Sequence, residues 1–152
     1  MTVDVGDPAP DFVLRDQNNQ EVRLTSFRTL RSVLLVFYPL AFTGTCQGEL
    51  AALQSGLDAF QNEQVQVLTV SVDSPYAHKV WADREGYTFP MLADFWPHGA
   101  VADAYGVLNH AKGYADRGTF LVDPDGVIAF TEHISAGHAR DVSVWRAAIK
   151  AL

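Results

Sequence analysis

The chain has 152 residues, a length that suits one domain with its own core. Its 18 Asp and Glu against 11 Lys and Arg give a net charge of −7, which argues against a nucleic-acid partner because the phosphates would be repelled. The longest apolar run, 33–42, is too short to cross a bilayer, and the N-terminal segment lacks the basic region of a secretory signal. We therefore expect a cytoplasmic protein of one domain, 1–152, that binds neither nucleic acid nor a membrane.

The first half of the chain alternates between strand and helix patterns. Apolar residues on both sides of the polar segment 17–20 predict an N-terminal β-hairpin. The continuous apolar run 33–38 predicts a strand covered on both faces, and the valine-rich segment 65–72 predicts another. Between these strands, helical spacing is found in the apolar residues Leu50, Leu53, Leu57 and Phe60.

A second helix is marked by signals at both of its ends. Ser74 followed by Pro75 predicts its start, and Gly86 predicts its end. The apolar stripe of this helix is expected to consist of Tyr76, Val80 and Trp81.

The remaining elements complete the predicted fold. A short helix is expected over 99–105, and the turn sequence 123–126 predicts a hairpin between strands at 119–122 and 127–130. The last helix carries its apolar residues at Trp145, Ala148, Ile149 and Leu152. This order predicts an α/β protein with a thioredoxin-like fold: a central mixed sheet flanked by helices, with an N-terminal β-hairpin extension.

Cys46 is the single cysteine of the chain, which excludes an intramolecular disulfide and a cysteine-based zinc site. It follows a predicted buried strand and lies in the first turn of the predicted helix, with Thr43 as the candidate N-cap. We expect the Thr43 hydroxyl to accept a hydrogen bond from the Cys46 N–H. The positive end of the helix dipole would favour the thiolate over the thiol. Taken alone, however, a free cysteine is more often an inert, buried, small hydrophobe.

Three segments resemble a known family. Pro39, Thr43 and Cys46 have the spacing Pro-x-x-x-Thr-x-x-Cys, with Glu49 three residues further on, which resembles the peroxidatic motif of the peroxiredoxins. The segments 6–12 and 116–123, the latter with Arg117 before a predicted strand, are also similar to that family. Within it, segments 39–50 and 94–100 look like the one-cysteine, alkyl hydroperoxide reductase E type of actinobacteria.

The resemblance implies a thiol peroxidase that reduces hydrogen peroxide and organic hydroperoxides. Its Cys46 thiolate would become a sulfenic acid, and an external thiol would restore it; no metal or other cofactor is implied. The implied reductant is mycothiol with a glutaredoxin-like protein, or a thioredoxin-like protein, and the implied assembly is a homodimer or larger homo-oligomer. The resemblance assigns catalysis to Thr43 and Arg117, shielding of the sulfur to Pro39 and orientation of the arginine to Glu49. Arg140 is a candidate second arginine of this network.

Each of these residues also has a structural interpretation. Pro39 can simply end a strand, Arg117 can be a solvated strand flank, and Glu49 can favour the helix dipole. At the level of function, a redox sensor whose oxidation alters a partner interaction, and a holdase or structural oligomer, are alternatives to the peroxidase.

The histidines and tryptophans give weaker signals. The five histidines have no metal-ligand spacing, and none is singled out as the base of a Cys–His hydrolase. Trp81, Trp96 and Trp145 are expected in the core. An apolar pocket near the site, formed by Leu40, Phe42 and Trp96, would suit alkyl hydroperoxides.

Overall fold

The computed structural model describes residues 3–152 and centres on a mixed sheet of seven strands. Together with two strands outside this sheet, the strands of the described residues are β1 (Val13–Arg15), β2 (Glu21–Arg23), β3 (Ser32–Phe37), β4 (Val65–Ser71), β5 (Met91–Ala93), β6 (Leu108–Asn109), β7 (Tyr114–Ala115), β8 (Arg117–Val122) and β9 (Ile128–Ile134). The helices are α1 (Gly44–Ser55), α2 (Pro75–Glu85), α3 (Ala100–Ala104) and α4 (Val142–Lys150). Strand order in the main sheet is β2-β1-β5-β4-β3-β8-β9, while β6 and β7 form a separate pair.

The centre of the sheet is formed by β3, which pairs in parallel with β4 and antiparallel with β8. Every residue of β3 is buried, as its continuous apolar run predicts for a strand covered on both faces. Alternate residues serve two separate core clusters, since successive side chains of a strand point to opposite faces. Leu34 and Val36 belong to the cluster that contains Cys46, and Leu35 and Phe37 belong to the other.

The predicted α/β fold is confirmed, together with most of its elements. The N-terminal hairpin forms as β1 and β2, and the hairpin around the turn at 123–126 forms as β8 and β9. Helix α2 begins as predicted: the Ser74 hydroxyl accepts a hydrogen bond from the Ala77 N–H, and Pro75 is the first helical residue. It ends at Gly86, which has a left-handed φ of 78°.

Two predictions about helices are wrong: that the first helix continues to Phe60, and that Tyr76 and Val80 belong to the apolar stripe of α2. Helix α1 ends at Ser55, and after Gly56 a separate 3₁₀ turn, Leu57–Ala59, carries the chain on to the buried Phe60. In α2 the exposed fractions of Tyr76 and Val80 are 75% and 60%. Those two residues are four apart and share one face, whereas Trp81 lies on another; the helix buries the larger indole. Its other buried residues are His78 and Ala82.

The tryptophan and terminal leucine predictions need a similar correction. Trp81 and Trp145 are fully buried, as expected, but Trp96 is 81% exposed. Leu152 lies beyond the end of α4 and is also exposed. Within residues 3–152, no helix combines the length and the apolar character needed to cross a membrane.

Candidate active site

Cys46 lies at the carboxyl edge of the sheet, in the first turn of α1. The loop 38–43 leads from the end of β3 to the N-cap residue Thr43, and Cys46 is the third residue of the helix. Its side chain is fully buried in the cluster that contains Tyr38 and Tyr87. The sequence-based placement of the thiol at a helix start after a buried strand is therefore what the structure has.

The Thr43 side chain does not make the predicted cap. Its hydroxyl donates to the carbonyl oxygen of Leu40, with an Oγ1–O distance of 2.7 Å, and accepts nothing from the Cys46 N–H. The hydroxyl is used to close the turn before the helix, so it is directed away from the first-turn amides. Those amides have no partner within the helix itself. The N–H groups at the start of α1 thus remain available to a negatively charged or polar ligand.

Glu49 lies one turn after Cys46 on the same side of α1 and connects two arginines. Its Oε1 accepts from Nη1 of Arg117, the first residue of β8. Arg140 donates from its backbone N and its Nε to Oε2, at 2.7 and 3.0 Å, and from Nη2 to Oε1 at 3.0 Å. All three side chains are almost completely buried. Glu49 therefore fixes the position of both guanidinium groups.

Further hydrogen bonds hold each arginine in one orientation. Arg117 Nε donates to the Ala136 carbonyl at 2.9 Å. Arg140 Nη1 donates to the carbonyl of Gly118 and to Thr119 Oγ1, each at 3.0 Å. Among residues 3–152, Nη2 of Arg117 has no partner, so this arginine keeps a donor for a ligand.

The Glu49, Arg117 and Arg140 side chains together carry a net charge of +1, because two guanidinium groups face one carboxylate. Burial strengthens the effect of this charge, since the surrounding protein screens it less than water would. Glu132 is the next carboxylate along the network; it reaches Arg140 through Thr119, whose hydroxyl lies 3.3 Å from Glu132 Oε1, and through Trp145, which donates to the same oxygen and packs against Arg140. The group therefore favours an anion at the Arg117 end.

A cavity of about 280 Å³ opens over the start of α1. Among the predicted site residues, the structure places Pro39, Thr43 and Arg117 in its wall. Cys46, Glu49 and Arg140 are buried and do not line it. The other lining residues are Leu40, Gly44, Thr45, Tyr114, Ala136 and Gly137. Sequence analysis missed the last three. Ala136 contributes only a backbone carbonyl, which any residue could supply, so its side chain gave no signal.

Phe42 and Trp96 do not line this cavity, and the predicted apolar pocket is therefore wrong. The Phe42 ring packs against Trp81, with 5.7 Å between ring centroids, and Trp96 lines a different depression with Val13 and Pro75. Phe42 has a left-handed φ of +65°, so its side chain does not point where that of an ordinary extended loop residue would point.

The buried tyrosines beside Cys46 remain neutral. Burial raises the pKa of Tyr38 well above its usual range, and the charges of Asp73 and Cys46 raise it further, while a hydrogen bond with Ser71 lowers it. Burial, with the charges of Glu85 and Cys46, raises the pKa of Tyr87 to about 12. Both phenols therefore keep their protons at neutral pH and add no negative charge next to the sulfur.

No group of three or more His, Cys, Asp or Glu side chains in residues 3–152 is arranged to hold a metal ion. His78 is fully buried, but in a hydrogen-bonded cluster with Tyr38 and Ser71 rather than in the cavity.

Comparison with known proteins places this site in a family context. Residues 5–131 match the model of the AhpC/TSA family. The alkyl hydroperoxide reductase E of Mycobacterium tuberculosis is 53% identical over 150 residues, which cover 99% of this chain and 98% of that protein. The selenocysteine-containing peroxiredoxin PrxU of Peptoclostridium acidaminophilum is 39% identical, over 93% of this chain and 73% of that protein.

Solved structures show the same relationship. The crystal structure of Enterococcus faecalis AhpC has a TM-score of 0.89 and 31% identity, covering 99% of this chain and 92% of that one. The reduced 2-Cys peroxiredoxin of Plasmodium vivax has a TM-score of 0.87 and 32% identity, covering 97% and 80%. The thiol at a helix start, the two arginines bound by Glu49 one turn later and these similarities lead to one conclusion: the chain belongs to the AhpC/TSA family of peroxiredoxins and is an oxidoreductase of that kind.

Proposed function

We propose that the chain is a one-cysteine peroxidase that reduces hydrogen peroxide and organic hydroperoxides. The observation that carries the proposal is the position of the sole thiol in the first turn of α1, directly after Thr43, Gly44 and Thr45, which line a cavity together with Arg117. In the proposed reaction, the Cys46 thiolate attacks the terminal peroxide oxygen. A sulfur–oxygen bond forms as the oxygen–oxygen bond breaks, so that sulfur is oxidised by two electrons and the peroxide is reduced.

The charged groups of the site support this step. The departing oxygen leaves as hydroxide or alkoxide and takes up a proton to give water or an alcohol. Arg117 Nη2 and the first-turn N–H groups of α1 can stabilise this developing negative charge, which is where preorganised donors contribute most to catalysis. In the proposal Thr43 positions the peroxide at the cavity wall, Pro39 limits access of water, and Glu49 and Arg140 hold Arg117 in place.

The catalytic cycle then needs an external reductant. One thiol condenses with the sulfenic acid to give a mixed disulfide and water, and a second thiol releases Cys46 as its disulfide forms. Mycothiol with a glutaredoxin-like protein, or a thioredoxin-like protein, is the proposed source of these thiols. We also propose that the protein is a homodimer or larger homo-oligomer of single-domain subunits in the cytoplasm.

Stopped-flow Trp fluorescence of the reduced protein, mixed with hydrogen peroxide, tests this assignment. The wild type should react rapidly, and Cys46→Ser should not react. Arg117→Ala should lose about 100- to 1,000-fold in rate, because it removes a donor to the departing oxygen.

The matched control is Arg15→Ala. Arg15 is 51% exposed at its side chain, pairs with Glu21 at the edge of the sheet, and should be replaceable without loss of rate. Similar rates for Arg117→Ala and Arg15→Ala would contradict the role given to Arg117. Persistent peroxide consumption by Cys46→Ser would contradict the whole proposal.

A further inference from the structure

Beside the peroxide site lies a largely buried polar cluster that the proposed chemistry does not use. It consists of Tyr38, directly after β3, Ser71 at the end of β4, Asp73 in the following loop, and His78 in α2. Tyr38, Ser71 and His78 are at most 1% exposed. His78 Nε2 lies 2.7 Å from Ser71 Oγ and 3.1 Å from the Tyr38 hydroxyl, and Ser71 Oγ donates to Asp73 Oδ2 at 2.6 Å. We call this group the Asp73 cluster.

The direction of the hydrogen bonds in the Asp73 cluster follows from proton counting. The single hydroxyl proton of Ser71 is used toward Asp73, so the short contact to His78 requires that Nε2 carries a proton and donates it to Ser71 Oγ. Burial lowers the pKa of His78 to about 4, so the ring is neutral at pH 7.

The hydrogen bonds from His78 to Ser71 and from Ser71 onward end at Oδ2 of Asp73. The same oxygen also accepts a hydrogen bond from the loop before Cys46. Asp73 Oδ2 accepts from the backbone N–H of Ala41 at 2.8 Å. Ala41 is buried, so without Asp73 its N–H would be an unsatisfied buried donor. In the sequence, Ala41 lies midway between Pro39 and Thr43, which together with Leu40 are the loop residues in the wall of the cavity.

The conformation of this loop needs such support. Phe42, next to Ala41, has a φ of +65°, which is uncommon for a residue other than glycine. Unfavourable backbone conformations of this kind persist only where the surrounding structure enforces them. The bond from Ala41 to Asp73, the bond from Thr43 to Leu40 and the packing of Phe42 on Trp81 provide three such restraints.

The Ser, His and Asp side chains do not form the triad of a serine hydrolase. In that arrangement the carboxylate binds one ring nitrogen and the serine the other. Here Asp73 approaches Nε2, at 3.9 Å, the same nitrogen that contacts Ser71, and Ser71 is almost completely buried. The Asp73 cluster can therefore support the loop but offers no accessible nucleophile.

We propose that Asp73 is a positioning residue of the peroxide site, which acts through the Ala41 N–H and is itself held by Ser71 and His78. This inference rests on the proposed peroxidase function, because it explains how Pro39 and Thr43 are kept in place for the reaction at Cys46. Asp73 touches neither the sulfur nor the peroxide. Its loss allows the loop to shift, and shifts of about 1 Å in a reacting site can reduce rates about 100-fold.

The test compares two reactions of the same thiol. Oxidation by hydrogen peroxide needs the positioned loop, whereas alkylation by iodoacetamide needs only an accessible thiolate. Asp73→Ala should lower the oxidation rate constant about 10- to 100-fold, while the alkylation rate stays the same or rises as the loop loosens. Asp73→Asn, which keeps an oxygen acceptor for Ala41, should recover part of the oxidation rate. Circular dichroism should establish that each variant is folded under the conditions of the assay.

The matched control is Asp94→Asn. Asp94 is also a carboxylate that accepts from backbone N–H groups, those of Val101 and Ala102, but it does not line the cavity, and it is more buried than Asp73, whose side chain is 17% exposed. This variant should lose stability without a change in the ratio of oxidation to alkylation rates.

The thiol reactions also distinguish failure of the inference from failure of the proposed function. If the wild type reacts with peroxide and Asp73→Ala keeps its rate ratio within about twofold, the positioning role is wrong and the peroxidase assignment stands. An equal fall of both rates in Asp73→Ala would also overturn the role, because it would indicate an altered thiol rather than a displaced loop. If the wild type itself does not react with peroxide, the proposed function and the inference both fail.

Discussion

At the scale of single residues, the site depends on how a few buried polar groups are satisfied. Glu49 accepts from two arginines, and Asp73 accepts from a serine and a loop amide. Removing such an acceptor leaves buried donors without partners, which costs about 1–3 kcal/mol per group and more where charge is involved. The polar interior therefore has the same role as apolar packing elsewhere: it allows one arrangement of the loop and of the arginines.

His78 should make the stability of the protein depend on pH. Its pKa is lowered from an ordinary 6.5 to about 4 in the folded protein. Between these values the unfolded chain binds a proton that the folded chain does not bind. The free energy of unfolding should therefore fall as the pH is lowered from 6.5 to 4, by on the order of 3 kcal/mol from this group.

Urea denaturation at several pH values between 4 and 7 measures this dependence. Other groups titrate in the same range, so the useful quantity is the difference between wild type and variant. His78→Gln should have a shallower decline than the wild type, whereas His138→Gln, at an exposed histidine, should retain the wild-type slope. Equal slopes in the wild type and in His78→Gln would contradict the lowered pKa.

At the scale of elements, two glycines at helices should respond to alanine in opposite directions. Gly48 lies inside α1, where an added methyl group would meet no atom within 4 Å. Gly48→Ala should raise the free energy of unfolding by about 1 kcal/mol, because alanine has the higher helix propensity. Gly86 ends α2 with a φ of +78°, so Gly86→Ala should lower it by about 1–2 kcal/mol.

Both glycine variants can be compared with the wild type in one set of urea denaturation curves. A decrease in stability for Gly48→Ala would show that the start of α1 does not tolerate the change. An unchanged midpoint for Gly86→Ala would mean that the left-handed conformation is not required at the end of α2.

The elements that were predicted correctly are those with strong local signals. The apolar run of β3 and the Ser74–Pro75 start of α2 need no knowledge of the rest of the chain. Strand β5 was missed because its three residues, between Pro90 and Asp94, are too few to show a period. The exposed face of α2 and the exposed Trp96 could not be predicted, since burial there depends on which surfaces meet in the folded protein.

The sequence also predicted part of the candidate active site. Motif spacing indicated Cys46 and Thr43 as candidates, and the similarity of segment 116–123 indicated Arg117. The structure places Thr43 and Arg117 in one cavity wall, at the start of the helix that carries Cys46. The spacing does not determine which hydrogen bond the Thr43 hydroxyl makes, because the bond to the Leu40 carbonyl competes with a helix cap. It also gave no sign of the Asp73 cluster, whose members come from three separate elements. The catalytic roles of these residues stay predictions.

At the scale of the whole molecule, one buried thiol limits the products that oxidation can give. Cys46 is the only cysteine and is fully buried, so two copies cannot bring their sulfurs to the ~2.05 Å of a disulfide without unwinding both sites. Intact-mass spectrometry after one equivalent of peroxide should therefore show a sulfenic acid, or a mixed disulfide when a small thiol is added. Excess peroxide without thiol should give sulfinic acid and loss of activity.

The control for this experiment is the Cys46→Ser variant, whose mass should not change with peroxide. A dominant disulfide-linked dimer of the wild type that is reduced again in each cycle would contradict the one-cysteine mechanism.

The molecule has a negative net charge, but the side chains of Glu49, Arg117 and Arg140 carry a local positive charge. Its electric field therefore has opposite signs at long range and within the site. At a distance, an oxidant encounters a molecule of net charge −7, whose field repels anions and is weakened by salt beyond a Debye length of about 8 Å. Within the cavity, it meets Arg117, whose buried charge is screened by salt much less than a surface charge is. A neutral hydroperoxide is not repelled by the net negative charge of the molecule. It develops negative charge only during the reaction, where the local positive charge stabilises it. We therefore expect an anionic oxidant to be repelled by the net charge of the molecule, and uncharged oxidants to reach the site more readily.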